Sequence, residues 1–269
     1  MGLTVGVVGT GNMGSALVRG WLCSPDYQVD LLVYDVVEAR AGGLAEAQSV
    51  TVAASLGDLA RQSDVIVVVV KPKDVLAALK ALGPDVAEEK TVVSTAAGIT
   101  LDSMRAALGQ GPALFRIMPN LGVEVGEGVI ALSPEPGTAP EATSFLAGLF
   151  GCMGLVEVLP EDLLDAVTAV AGSSIGFLAL ALEGIEDGAV RVGMPRATAR
   201  TFVRQTALAT ALLLRRYEGS AADLKDQVAS PGGTTIAGLA VLEDQGVRGA
   251  FMRAIEEAAE RGRRLRDGK

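Results

Sequence analysis

The chain has 269 residues, 49% of them hydrophobic, which suits two packed domains and excludes disorder as its main state. Its formal net charge is −9 and aromatics make up 4%, so it lacks the basic face and stacking platform that nucleic acid requires. Histidine is absent, which excludes Ser-His-Asp triads, imidazole-based hydride chemistry and His-ligated metal, and no metal is expected.

Cys23 and Cys152 form no CxxC pair and no disulfide framework. Both are expected in the core as small hydrophobes, in a reduced, cytoplasmic setting. Met1–Val5 has no basic leader and runs into a strand pattern, so no signal peptide is expected. A mean hydropathy of +0.39 raises the question of a membrane. The uncharged stretch Ala166–Leu182 is short for a span, is interrupted by Gly172, Ser173, Ser174 and Gly176, and lacks aromatic anchors. It reads as a helix buried in a domain core or a subunit interface, without a membrane partner.

In chain order, Thr4–Val8 reads as a strand, followed by a glycine turn and an apolar-periodic helix over Met13–Leu22. Asp30–Tyr34 is the next strand, and Ser55 caps a helix reaching Gln62, with Asp58 in its first turn. Val65–Val70 is a continuous apolar run, as in a strand buried on both faces. Asp74–Leu82 reads as helix, Thr91–Ser94 as strand, Leu101–Leu108 as helix and Ala113–Ile117 as strand. Gly128–Leu132 and Leu155–Val158 read as strands around a helix at Glu141–Phe150. This alternation predicts an α/β Rossmann domain over residues 1–160, doubly wound on a mostly parallel sheet. From Pro160 the strand pattern stops. Residues 161–269 are expected to form an all-helical domain, with helices at Glu161–Gly188, Arg196–Tyr217, from Thr235, and at Arg248–Arg266.

Gly9-Thr10-Gly11-Asn12-Met13-Gly14 reads G-x-G-x-x-G between a predicted strand and a predicted helix. In that setting Gly9 makes the tight turn, Gly11 admits a pyrophosphate and Gly14 packs helix on strand. The helix amides and dipole then serve the phosphates, so this is read as a dinucleotide site. Asp35, ending the second strand, is placed either as acceptor for the adenosine ribose hydroxyls or as a helix cap. As acceptor it favours NADH over NADPH, because it repels a 2′-phosphate and Val36-Val37-Glu38 bring no cation before Arg40. Val70-Lys71-Pro72 and Ala96-Ala97-Gly98 end strands on the same sheet edge, where open α/β folds bind ligands.

A second unusual stretch runs Lys225-Asp226-Gln227-Val228-Ala229-Ser230-Pro231-Gly232-Gly233-Thr234-Thr235-Ile236. Proline, two glycines and two threonines before an apolar helix make either a carboxylate cradle or simply a well-capped helix start.

The chain resembles the pyrroline-5-carboxylate reductase family over essentially its whole length. The resemblance is carried by Leu224-Lys225-Asp226 through Ser230–Ile236, with Gly193-Met194-Pro195-Arg196, Gln205-Thr206, Met118-Pro119-Asn120, Val70-Lys71-Pro72 and Ala96-Ala97-Gly98 in support. It implies reduction of (S)-1-pyrroline-5-carboxylate to L-proline by NADH or NADPH, and a homodimer of interleaved C-terminal helices with its substrate site at the dimer interface. Larger rings of dimers also occur in the family. By the resemblance, Ser230 and Thr235 are substrate-contacting hydroxyls, Thr235 being the catalytic candidate. The Gly232-Gly233-Thr234-Thr235 backbone cradles the carboxylate, and Asn120, Val70, Lys71, Pro72, Ala96 and Ala97 lie around the nicotinamide and its ribose. Two segments depart from the family pattern: Leu121-Gly122-Val123 stands where Thr-Pro-Ala is usual, and Ser173–Phe177 replaces a Pro-Ala-Tyr turn. A reductase of another cyclic imine, or a catalytically weakened dinucleotide-binding paralogue, would share these features.

Overall fold

β-branched runs bounded by glycine turns build one eight-stranded sheet. Its strands are β1 (Leu3–Val8), β2 (Val29–Tyr34), β3 (Thr51–Val52), β4 (Val65–Val68), β5 (Thr91–Ser94), β6 (Ala113–Pro119), β7 (Gly128–Pro134) and β8 (Gly154–Val158). Their order is β3-β2-β1-β4-β5-β6-β7-β8. The first six strands are parallel, and the order reverses between β1 and β4, which places a ligand crevice at their carboxyl ends. The computed structural model describes residues 2–24 and 28–266 of the chain.

β7 runs antiparallel to β6, the one antiparallel pair among the described strands of a mostly parallel sheet, as expected. Only the short 3₁₀ turn Leu121–Val125 joins them, too few residues for a crossover, so the chain must double back. β8 then pairs parallel with β7 through the helix between them.

Helices α1 (Asn12–Leu22), α2 (Glu38–Ala47), α3 (Leu56–Gln62), α4 (Pro72–Leu82), α5 (Leu101–Leu108) and α6 (Pro140–Gly151) cover the sheet. Ser55 caps α3 by accepting from the Asp58 amide at 3.1 Å, as expected. α2 and β3 had no clear signal in sequence: α2 buries only Ala41 and Leu44, too few positions to show a period. One face of the sheet packs Trp21, Phe115 and Phe150; the other packs Ile66, Leu79 and Leu82. The Trp21 and Phe150 rings sit 5.3 Å apart, and Trp21 Nε1 donates to the Leu149 carbonyl at 3.0 Å. Cys152 packs against this core, but Cys23, just past the last turn of α1, is exposed rather than buried.

The chain divides into two compact units. The first runs through Gly172 and regains the chain from Ala258; the second is Ser173–Glu257. The expected boundary at Pro160 lies twelve residues earlier than Gly172. Between them, the turn Glu161–Leu163, α7 (Leu164–Val167) and the π-helical turn Thr168–Ser173 belong to the first unit, where Leu164 packs on Met118 and Ala131.

The second unit contains α8 (Ser174–Arg191), α9 (Arg196–Arg216), α10 (Ala221–Val228), α11 (Thr234–Asp244) and the start of α12 (Val247–Arg266). Lys225–Val228 lie on α10, not in a loop, because Ser220 and Asp223 close a capping box that starts that helix. Among its described residues only Ala199 and Val203 are buried. Leu180 is 70% exposed, and Val241 and Met252 are 61% exposed. By length and composition, the helical stretch Glu161–Arg191 is long and apolar enough to cross a membrane, at a mean hydropathy of 1.8.

Candidate functional site

The first unit carries the dinucleotide features. β1 ends at Val8, and Gly9 turns the chain at φ +99°, a conformation that only glycine adopts without strain. α1 starts at Asn12, one residue before the predicted start, with Gly11 as its N-cap. No side chain caps this N-terminus, so its first amides stay available to an anion. A Cβ on Gly14 would strike the Gly9 carbonyl oxygen, whereas one on Gly11 would meet nothing within 4 Å. Gly14 is thus required by packing, and Gly11 by open space. That pattern is what a pyrophosphate approaching the backbone needs, and it shows that these residues fit a dinucleotide.

Two cavities of about 570 and 760 Å³ flank the loop. Both include Gly11, Arg40, Val70 and Lys71 in their walls, so they form one groove along the carboxyl edge of the sheet. The first lies between Asp35 and the Ala77–Ala78 face of α4; the second reaches Thr10, Asn12, Met13, Pro72, Ala96 and Ala97. Most of the predicted cofactor residues are therefore brought together. Gly14 and Gly98 support the groove without lining it: Gly14 packs on the loop, and Gly98 turns the chain at φ +77°. Arg40 and Met118, both named above, line it as well, together with Lys73, which carried no signal in the sequence.

Asp35 is 9% exposed and its carboxylate is already engaged. Oδ2 accepts from the Thr10 amide at 2.8 Å and the Thr10 hydroxyl at 3.1 Å, and Oδ1 accepts from the Val37 amide at 2.9 Å. Burial alone would raise its pKa; the bonds from Val37 and Thr10, with the Arg40 charge, outweigh burial and hold it below 3.8. Of about four acceptor positions on a carboxylate, three are filled. The open position is on Oδ1, which among the described residues accepts only from Val37.

Asn120 is equally committed. Its Oδ1 accepts from the Gly122 and Val129 amides, both at 3.1 Å, and its Nδ2 donates to the Ala171 carbonyl at 3.1 Å. It caps the Leu121–Val125 turn and lines neither cavity. The departure at Leu121-Gly122-Val123 is built into that turn. A Cβ on Gly122 would lie 2.6 Å from the Glu127 carbonyl, and Val123 is fully buried.

In the second unit, Ser230–Gly233 form the loop between α10 and α11, with Gly232 at φ +67°. Gly233 is the N-cap, and Thr234 and Thr235 are the first two residues of α11, which begins one residue earlier than predicted. No side chain caps this end, so the amides of the first turn have no partner within the helix. The Ser230 residue is exposed and Thr235 half-buried.

Comparison with known proteins agrees with this architecture. A family model described as "Pyrroline-5-carboxylate reductase dimerisation" matches residues 161–265, and one described as "NADP oxidoreductase coenzyme F420-dependent" matches residues 4–98. A pyrroline-5-carboxylate reductase of Methanosarcina acetivorans is 35% identical over 265 residues, covering 97% of both chains. The chain belongs to the pyrroline-5-carboxylate reductase family. An Escherichia coli member is 33% identical, again over 97% of both chains. The solved structure of the Streptococcus pyogenes reductase superposes with a TM-score of 0.85 at 30% identity, covering 97% of this chain and 98% of that one. A Plasmodium falciparum pyrroline carboxylate reductase with NADP bound gives 0.87 at 26% identity over 97% of both. The 161–265 match lies within the stretch where the sequence shows no strand pattern.

Proposed function

We propose that the protein reduces (S)-1-pyrroline-5-carboxylate to L-proline, the last step of proline biosynthesis, with a nicotinamide dinucleotide as donor. Its full-length relatives carry that activity in their names, and the site chemistry agrees with it. The observation that carries the reading is the Ser230–Thr235 loop. Uncapped amides at the N-terminus of α11, with hydroxyls on Ser230, Thr234 and Thr235 beside them, suit a small carboxylate. A protonated C=N is already electrophilic, so orientation of the ring suffices and no histidine is needed. The bound cofactor would supply the hydride, and the first unit holds it through the glycine loop and the α1 amides. Thr235 donates a hydrogen bond that orients the imine nitrogen.

NADH is the preferred donor in this reading. The Asp35 charge faces the adenosine end of the groove and repels a 2′-phosphate, and its one free acceptor position takes a ribose hydroxyl. The protein acts as a homodimer, with larger rings of dimers open to it, and the apolar surface of α8, α9 and α11 is buried between copies rather than in a membrane. Neither Cys23 nor Cys152 is in a disulfide, which suits a reducing, cytoplasmic compartment.

The deciding assay is pyrroline-5-carboxylate-dependent oxidation of NADH and NADPH, run beside a six-membered cyclic imine acid. Thr235→Ala is expected to lower kcat/KM by ~10²-fold, about 2.7 kcal/mol. Near-native kinetics in that variant would remove Thr235 from this role, and no turnover of the five-membered substrate would remove the function.

A further inference from the structure

Arg116 interrupts an otherwise apolar β6, Ala-Leu-Phe-Arg-Ile-Met-Pro, and is 3% exposed. On its face of the sheet it lies between Leu114, in the α4–α5 core, and Met118, in the cluster beside Leu164. Its sheet neighbours are the buried serines Ser94 and Ser133. Nη1 donates to Glu161 Oε1 at 2.9 Å and Nη2 to the Ala96 carbonyl at 3.1 Å. Nε has no hydrogen-bond partner among the described residues. The same Glu161 Oε1 accepts from the Leu101 amide, the first residue of α5, at 2.7 Å.

The pair therefore grips both ends of one loop. Arg116 holds Ala96 where the chain leaves β5, and Glu161 holds Leu101 where it enters α5. Between them lie Ala97 and Gly98, and Ala96 and Ala97 line the groove. Burying a guanidinium with its Nε unsatisfied is a poor way to stabilise a core, because apolar side chains in place of a buried ion pair are often neutral or better.

We infer that Arg116 is a positioning residue for hydride transfer, fixing the Ala96–Gly98 loop against the nicotinamide through the Ala96 carbonyl, with Glu161 as its anchor. This rests on the reading that Ala96 and Ala97 border the nicotinamide. The residue touches no reactant; it sets the ring's distance and tilt, where an error of about 1 Å costs on the order of 10²-fold.

Arg116→Met in the full-length enzyme tests this. The expected variant stays folded but melts somewhat below the native temperature, because Glu161 loses its ion-pair partner; it lowers kcat at saturating substrates by about 10- to 100-fold and leaves the KM for the pyrroline acid nearly unchanged. It also shows a larger isotope effect with deuterated donor, because hydride transfer then limits turnover. A folded Arg116→Met with native kcat and isotope effect overturns the inference. Should that variant not fold, Arg116→Lys replaces it: one ammonium keeps the charge opposite Glu161 but lacks the second arm of the fork. The expected result is again a lowered kcat with native KM, and native kcat overturns the inference. Ala97→Trp separates the two readings. If it blocks turnover while the Arg116 variants stay native, only the Arg116 inference fails; if it too leaves kinetics native, the nicotinamide placement fails and the inference with it.

Discussion

Asp35 Oδ2 accepts two hydrogen bonds from a single residue, Thr10, one from its amide and one from its hydroxyl. The end of β2 thereby clasps the middle of the glycine loop before any cofactor arrives. One carboxylate thus fixes the loop and sets the charge at its end of the groove, two roles that different substitutions separate.

Asp35→Asn keeps an acceptor for the Thr10 amide and removes the charge. The native protein is expected to show the higher kcat/KM with NADH, by about 5- to 150-fold, the equivalent of roughly 1–3 kcal/mol. In Asp35→Asn the gap narrows to a few-fold. Asp35→Ser narrows it too, but lowers kcat/KM with both donors, because the shorter side chain releases Thr10. Steady-state kinetics with each donor check this, and a native preference for NADPH contradicts the reading of Asp35.

The same carboxylate makes stability depend on acid. Its folded pKa lies below 3.8, so it is held below its unfolded value. Its contribution is complete above the unfolded pKa of about 3.9 and is lost as pH falls through the folded one. Urea unfolding from about pH 5 to pH 2 should therefore show a steeper loss in the native protein than in Asp35→Asn. Parallel curves would mean that the clasp contributes no pH-dependent stability.

Two glycines of one motif should respond oppositely. Gly14→Ala drives a methyl into the Gly9 carbonyl, and is expected to cost about 1–3 kcal/mol and to weaken dinucleotide binding at least tenfold. Gly11→Ala points into open space, so its melting temperature should stay native while dinucleotide affinity falls. Thermal melts beside titrations with the reduced dinucleotide distinguish them. Equal stability loss in both would contradict the packing and open-space roles.

Light scattering at micromolar concentration should give a dimer or a multiple of one. Leu180→Glu with Val241→Glu, both on exposed apolar helix faces, should shift the protein toward monomer and reduce activity. An active native monomer would refute the homodimer.

The order of strands and helices was legible because β4 is apolar throughout and the glycine loop sits between strand and helix. The Ser55 cap and the start of the helical region were legible for the same reason: these signals lie within a few residues of one another. α10 is less legible, because it is only eight residues long and its capping box, Ser220 with Asp223, runs directly into the motif beginning at Leu224. The Arg116 charge was visible inside an apolar strand, but its partners, Ala96 and Glu161, are 20 and 45 residues away.

By itself the sequence determined the kinds of element, the dinucleotide loop and the family, since local pattern and motif spacing specify those. Only the tertiary structure decided what the polar side chains do. It tied Asp35 to the Thr10 of the glycine loop and Asn120 to the Leu121–Val125 turn. It reversed β7 against β6, because five residues of 3₁₀ turn cannot carry a crossover. A buried polar group must find a partner wherever the fold brings one, and that partner is set by which strands lie side by side, not by neighbours in the chain.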